Sequence, residues 1–201
     1  MIAGQDRVIA WLRAVHNGGA FPLKYFLAGP RVVNDTYGLF FYDPDGGYVA
    51  AYQKDYGYKM VGWRNGVMVV ESQDGTLWSA LSGRALSGPQ AGARLKRIAS
   101  LVTNWDYWLM LHPESTTYDL FDGDTYTSSP VPAGLSAEAR ASITSVDQRL
   151  DAETMVLGVE FSDTQEAFVL DELPPRACLL GEQDGEPVAV FWYAATKTAV
   201  A

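Results

Sequence analysis

Cysteine is almost missing from this chain. Its 201 residues hold one, Cys178, so neither an internal disulfide nor a cysteine-built zinc site can form within one molecule. Histidine is nearly as scarce, with only His16 and His112. A metal centre using both would also need a converging carboxylate, and their spacing does not require one. The expectation is therefore no metal and no cofactor. There is no phosphate loop, no dinucleotide fingerprint and no Gly-x-Ser-x-Gly elbow, so nothing supports a redox or phosphoryl-transfer enzyme. No apolar run reaches the roughly 18 residues that a spanning helix needs. The opening Met1-Ile2-Ala3-Gly4-Gln5-Asp6-Arg7 lacks the basic stretch and apolar run of a leader. The expected location is cytoplasmic.

Positive charge is also in short supply. The formal net charge is -9, and it is unevenly spread. Residues 1–112 carry eleven Lys/Arg against eight Asp/Glu, while residues 113–201 carry four against sixteen. An acidic surface repels phosphate backbones and anionic lipid, which argues against nucleic acid and membranes as partners. Its plainest role is solubility. With 48% hydrophobic and 19% charged residues the composition is that of a folded domain, not a disordered chain. Eleven Tyr, eight Phe and six Trp suit strands and also suit pocket linings.

Along the chain, Val8, Ile9, Leu12 and Val15 fall at helical spacing and predict a helix over residues 5–16, stopped by Asn17-Gly18-Gly19. A single helical turn is expected from Leu23 through Phe26. Strands are expected at Val32-Val33, Leu39–Tyr42, Tyr48–Tyr52, Lys59–Trp63 and Val67–Val70. The last two flank Asn65-Gly66, a strong hairpin signal. Residues 82–92 and 122–134 read as loops. Short helices are expected over 104–111 and over 135–144, the latter with Ser136 near its cap. Strands return at 155–161 and 188–193.

The fold class expected is mainly β (α+β), a single domain over residues 1–201 with about three short helices. Ala20-Phe21-Pro22-Leu23 resembles Ala167-Phe168-Val169-Leu170, and Phe40-Phe41-Tyr42 resembles Phe191-Trp192-Tyr193. These suggest an internally duplicated β-unit over about 20–52 and 167–201. Packed together, the two units would form a closed or sandwich-like sheet with the middle segment as an insertion. Chance similarity between two apolar hairpins is the alternative.

The block Gly75-Thr76-Leu77-Trp78-Ser79-Ala80-Leu81-Ser82-Gly83-Arg84-Ala85, running on to Gly88-Pro89, resembles the signature of the DUF3179 family, which has no assigned function. Thr103-Asn104-Trp105 and His112-Pro113-Glu114-Ser115-Thr116 resemble its next block, and the resemblance extends over roughly residues 20–201. Two departures stand out. Asp43-Pro44-Asp45-Gly46 replaces a Cys-Pro-Leu-Cys run, which removes both thiols and any soft-metal or redox role there. Arg84 stands where the family pattern has Glu. The last strand of the family would continue past Ala201, which implies a truncated C-terminus or completion by a partner.

The densest polar set is Glu71, Asp74, Thr76, Trp78 and Arg84. Strand alternation would put Asp74, Thr76 and Trp78 on one face. Facing a pocket, Asp74 or Glu71 would act as a base and Arg84 would hold a carboxylate at two points. The plainer reading makes Trp78 core and the charges its rim. His112 would serve as general acid/base, or simply end a helix, and His16 would cap the first helix. Asp43 and Asp45 flank Pro44 in a turn. Both would simply bond the local backbone; otherwise Asp43 would bind substrate, or the pair would hold a hard cation with Asp35, although the spacing fits no calcium loop. Cys178 reads as a small buried hydrophobe, with a thiol activated by Arg176 as the alternative.

The leading expectation is a cofactor-free biosynthetic enzyme of lyase, isomerase or cyclase type acting on a small organic substrate. Asp74, Glu71 and His112 would be catalytic, and Arg84, Thr76, Trp78 and Asp43 would bind substrate. The alternative is a non-catalytic domain that holds a small molecule or a partner protein, self-association included. Convergence of Asp74 or His112 with Arg84 on one pocket favours the first. Side chains locked in local hydrogen bonds favour the second.

Overall fold

The computed structural model of the chain describes residues 2–14, 17–28, 32–43, 46–53, 57–117, 136–151, 154–160, 164–183 and 185–201. In chain order, β1 (Arg7–Ala14), β2 (Asn17–Pro22) and α1 (Leu23–Ala28) lead to β3 (Val32–Asn34), β4 (Leu39–Asp43) and β5 (Tyr48–Tyr52). Then come β6 (Lys59–Arg64), β7 (Val67–Glu71), β8 (Leu77–Ser79), β9 (Ala85–Ser87), β10 (Ala99–Asn104), α2 (Trp105–Leu111) and β11 (Thr116–Thr117). The remainder is α3 (Ala137–Ala141), β12 (Val156–Glu160), β13 (Gln165–Val169), β14 (Arg176–Gln183), β15 (Glu186–Tyr193) and β16 (Thr198–Val200). Two 3-10 turns, Leu170–Glu172 and Ala194–Thr196, complete it. The chain is thus β-rich with three short α-helices among the described residues. None of these helices is long and apolar enough to cross a membrane.

The helix expected over residues 5–16 is a strand. β1 is central in a sheet ordered β10-β1-β2-β11. Val8, Ile9, Ala10 and Trp11 are all buried, so both faces of β1 are covered. A strand covered on both sides has no reason to alternate, and its apolar run then mimics helical spacing. Asn17-Gly18-Gly19 is not a helix stop but the start of β2. A Cβ on Gly18 would fall 2.7 Å from the Ser115 hydroxyl, so the glycine admits a close neighbour. Val15 and His16 lie outside the described residues.

Burial then stacks four layers. β4 is buried along its length, between β3 and β5. Phe40, Tyr42 and Ala51 pack on Ile9, Trp11, Phe21 and Phe26 of the first sheet and α1. On the other side, Leu39, Phe41, Ala50 and Tyr52 pack on Met68, Val70 and Trp78 of the sheet β6-β7-β8-β9. The outer face of the first sheet, with Val8, Ala10 and Ala20, receives Trp108 of α2. The middle of the chain is therefore core and not an insertion. The reason is that β4 needs cover on both faces and residues 59–87 supply one of them.

The order strand, strand, helical turn, three-stranded meander occurs twice, over 7–52 and 156–200. Phe41 faces Ala50 in β4–β5, and Trp192 faces Ala199 in β15–β16. The second meander packs beside β10, not on the first. Thr103 and Thr198 share a buried hydroxyl bond of 2.7 Å, and Arg7 holds Asn104 Oδ1 together with the carbonyls of Thr196 and Lys197.

Candidate functional site

The signature block folds into a polar knot at the β7–β8 turn. Ser72 N–H donates to the Thr76 carbonyl (3.0 Å) and Gly75 N–H to that of Ser72 (2.9 Å). Inside the turn, the Asp74 carboxylate accepts from Gln90 Nε2 (2.6 Å), Ser72 Oγ (2.6 Å) and the Thr76 amide (3.0 Å). Trp78 Nε1 donates to Ser72 Oγ at 3.0 Å. Thr76 is fully buried and its hydroxyl accepts from the Gln90 amide. Asp74 does not share a face with Thr76 and Trp78. It caps the turn in solvent, while they point into the core, because alternation holds only within β8 and Asp74 precedes it.

Three donors, Gln90 first and then Ser72 and Thr76, hold the Asp74 carboxyl far below the usual carboxylate range. Its folded pKa is thus lower than its unfolded one. The stabilisation is complete above the unfolded value of about 3.9 and is lost as pH falls below it toward the folded value. Asp74→Asn should therefore lower the thermal midpoint at pH 7, with the gap closing below about pH 4. Thermal unfolding of both proteins from pH 7 to pH 2 checks this. A gap that widens on acidification would contradict it.

The remaining sequence candidates are dispersed. Glu71 pairs with Lys59 across β6–β7 at 2.9 Å. His112 ends α2, its amide bonded to the Trp108 carbonyl and its ring 4.3 Å from the Trp108 ring. Its Nδ1 lies 4.0 Å from Glu114. Asp43 is wholly buried at the end of β4, where it accepts the Gly46 amide at 3.2 Å. The adjacent Tyr48 phenol is pushed far above its ordinary range by burial first and by the Asp43 charge second. Arg84 pairs with Glu160 at 3.3 Å. Cys178 is exposed on β14, an edge strand whose outer face is open, so it is not the buried hydrophobe expected. Asp45 and His16 lie outside the described residues, as do residues 122–134. Among the described residues, no group of three or more His, Cys, Asp or Glu could hold a metal.

A cleft that the sequence did not nominate lies between α2 and the meander β14-β15-β16. It measures about 930 Å³ and is lined chiefly by Leu101, Tyr107, Met110, Leu111, Phe191, Trp192 and Tyr193. Met110 and Phe191 are 67% and 49% exposed, which leaves large apolar side chains in water. Tyr107 and Tyr193 meet at 5.2 Å, and the Arg176 guanidinium lies 5.1 Å from the centre of the Tyr193 ring. Asp106 also borders the cleft, where one of its oxygens accepts the Tyr107 amide at 2.7 Å. One signal was available. Met110-Leu111 closes a seven-residue helix that buries Trp108, so its last apolar residues had no inner face left.

The family model described as "Protein of unknown function (DUF3179)" matches residues 2–201. No curated protein and no solved structure matches the chain.

Proposed function

The chain belongs to the DUF3179 family, and from that premise we propose that it is a non-catalytic binding domain, taking into the α2–meander cleft a small organic ligand with an apolar body and one anionic end. The observation that carries this is the cleft itself. Its volume of about 930 Å³ falls in the range of ligand sites, and its lining is mostly apolar with few polar groups. Arg176 supplies a cation at an aromatic wall, suited to a carboxylate or sulfonate on an otherwise apolar molecule.

The catalytic reading has less support. General acid–base chemistry needs a group poised to exchange a proton beside the substrate. Asp74 is held ionised in a turn, and His112 packs its ring at a tilt against Trp108 and is not among the residues that line the cleft. Binding requires only residues that already meet.

The test uses 8-anilinonaphthalene-1-sulfonate, an aromatic body with an anionic end. Its fluorescence should rise saturably at one molecule per chain. Phe191→Ser should abolish the rise, and Arg176→Gln should weaken binding about tenfold, or about 1.4 kcal/mol. Cooperative thermal unfolding of each variant separates this from dye uptake by a loosened core. Binding indifferent to both substitutions would overturn the proposal.

A further inference from the structure

From Gly75 to Trp105 the chain carries Arg84, Arg94, Lys96 and Arg97 and no acidic residue, in a protein of net charge -9. The fold gathers the three arginines. Arg84 and Arg94 face each other in an isolated antiparallel bridge, and so do Tyr52 and Arg97. The Arg97 guanidinium lies 5.4 Å from the centre of the Tyr52 ring, and one of its nitrogens donates to the Leu81 carbonyl at 2.6 Å. The Tyr52 phenol donates to the carbonyls of Ala80 and Leu81.

Among the described residues, one carboxylate reaches this cluster, and it comes from far along the chain. Glu160, the last residue of β12, uses a single oxygen to meet Arg94 at 2.8 Å and Arg84 at 3.3 Å. Counted over the described residues, three guanidinium groups against the Glu160 carboxylate leave an excess of two positive charges. Gathered like charges are unfavourable until an anion joins them. Both paired arginine side chains are open to solvent, at 54% and 44% exposure. Each presents the planar fork that matches carboxylate and phosphate oxygens.

We propose that Arg84, Arg94 and Arg97 form an oxyanion site, separate from the cleft, for a small molecule bearing a phosphate or carboxylate group, and that Glu160 is its built-in competitor. A ligand oxyanion and Glu160 seek the same two guanidinium groups, so each weakens the other by the same factor. Binding therefore releases Glu160 and loosens the β12–β13 hairpin that carries it. The surface would report anion concentration through the state of that hairpin.

The experiment is calorimetric titration with inorganic phosphate and, separately, succinate, at pH 7 with ionic strength matched by sodium chloride. Glu160→Gln keeps the shape and removes the competing charge. It should bind at least one of the two anions about tenfold more tightly than wild type. The double variant Glu160→Gln, Arg94→Gln should lose that gain. The preferred anion identifies which group the ligand carries. A Glu160→Gln protein that binds no more tightly than wild type, or a gain that survives loss of Arg94, overturns the proposal. Amide exchange of the unmutated protein gives a second reading, independent of how any variant folds. Saturating anion should speed exchange across Val156–Glu160 and Gln165–Val169, and unchanged exchange there overturns the proposal equally.

Discussion

Gly88→Ala should lower the thermal midpoint by about 10 °C. Gly88 has φ +100, and a Cβ there would sit 2.7 Å from Thr76 Cα and 3.0 Å from the Gly75 carbonyl oxygen. Both obstacles are main chain, so no side chain can swing aside. Left-handed strain costs about 1–3 kcal/mol, and forced overpacking adds about as much. A total of about 3–4 kcal/mol corresponds to roughly 10 °C for a domain of this size. Gly92 is the control. Its φ is +88, but nothing lies within 4 Å of its would-be Cβ, so Gly92→Ala should cost only the strain, about 1 kcal/mol. Equal losses in the two variants, measured by calorimetric unfolding, would remove the steric explanation.

Trp78→Ala should cost about 3–5 kcal/mol, the usual range for emptying a large aromatic site in a core. Trp78 is 2% exposed. It packs between the β3-β4-β5 and β6-β7-β8-β9 sheets, its ring 6.2 Å from that of Tyr58. Trp78→Phe separates two contributions. It keeps most of the apolar contact but withdraws the indole N–H from Ser72 Oγ, a loss of about 1–3 kcal/mol. Urea unfolding reads both variants. The folded fraction of each should still bind the naphthalene sulfonate in the α2 cleft, because Trp78 lies in a different layer. Loss of that binding with stability intact would make Trp78 a ligand residue, not a structural one.

These two substitutions also show what the signature block encodes. Its Gly, Trp and small polar residues read in sequence as a candidate site because they are dense and specific. In the fold they are dense because a tight turn seated on the core has many backbone groups to satisfy. Ser72, Asp74, Thr76 and Gln90 spend their hydrogen bonds on one another and on the chain.

Local grammar was legible at several of the turns. Asn65 and Gly66 adopt φ 50 and φ 76 between β6 and β7, as the Asn-Gly pair required. The β4–β5 hairpin and α2 fall where expected, and Ser136 caps α3 by accepting the Ala139 amide. β1, covered on both faces, was not legible as a strand, because double burial erases the period that separates strand from helix. β14 was missed for the opposite reason. Its run Arg176-Ala177-Cys178-Leu179-Leu180 leaves Leu180 80% exposed, so apolar residues there do not mark an inside. The cleft was illegible because it joins residues 101–111 to residues 176–200, and only the docking of β16 beside β10 brings them together.

The Arg7 clamp sets an order of events in the cell. Its carbonyl acceptors on Thr196 and Lys197 lie 189 and 190 positions further along. At typical translation rates of about 5–20 residues per second, roughly 10–40 s separate the synthesis of the guanidinium from that of its partners. Through that interval β1 can pair with β2 and later with β10, but the edge of β10 that receives β16 stays open. A nascent chain stalled before Thr196 would thus present a ribosome-bound sheet with an uncovered margin, and that margin is where a holding chaperone would have its longest opportunity to act.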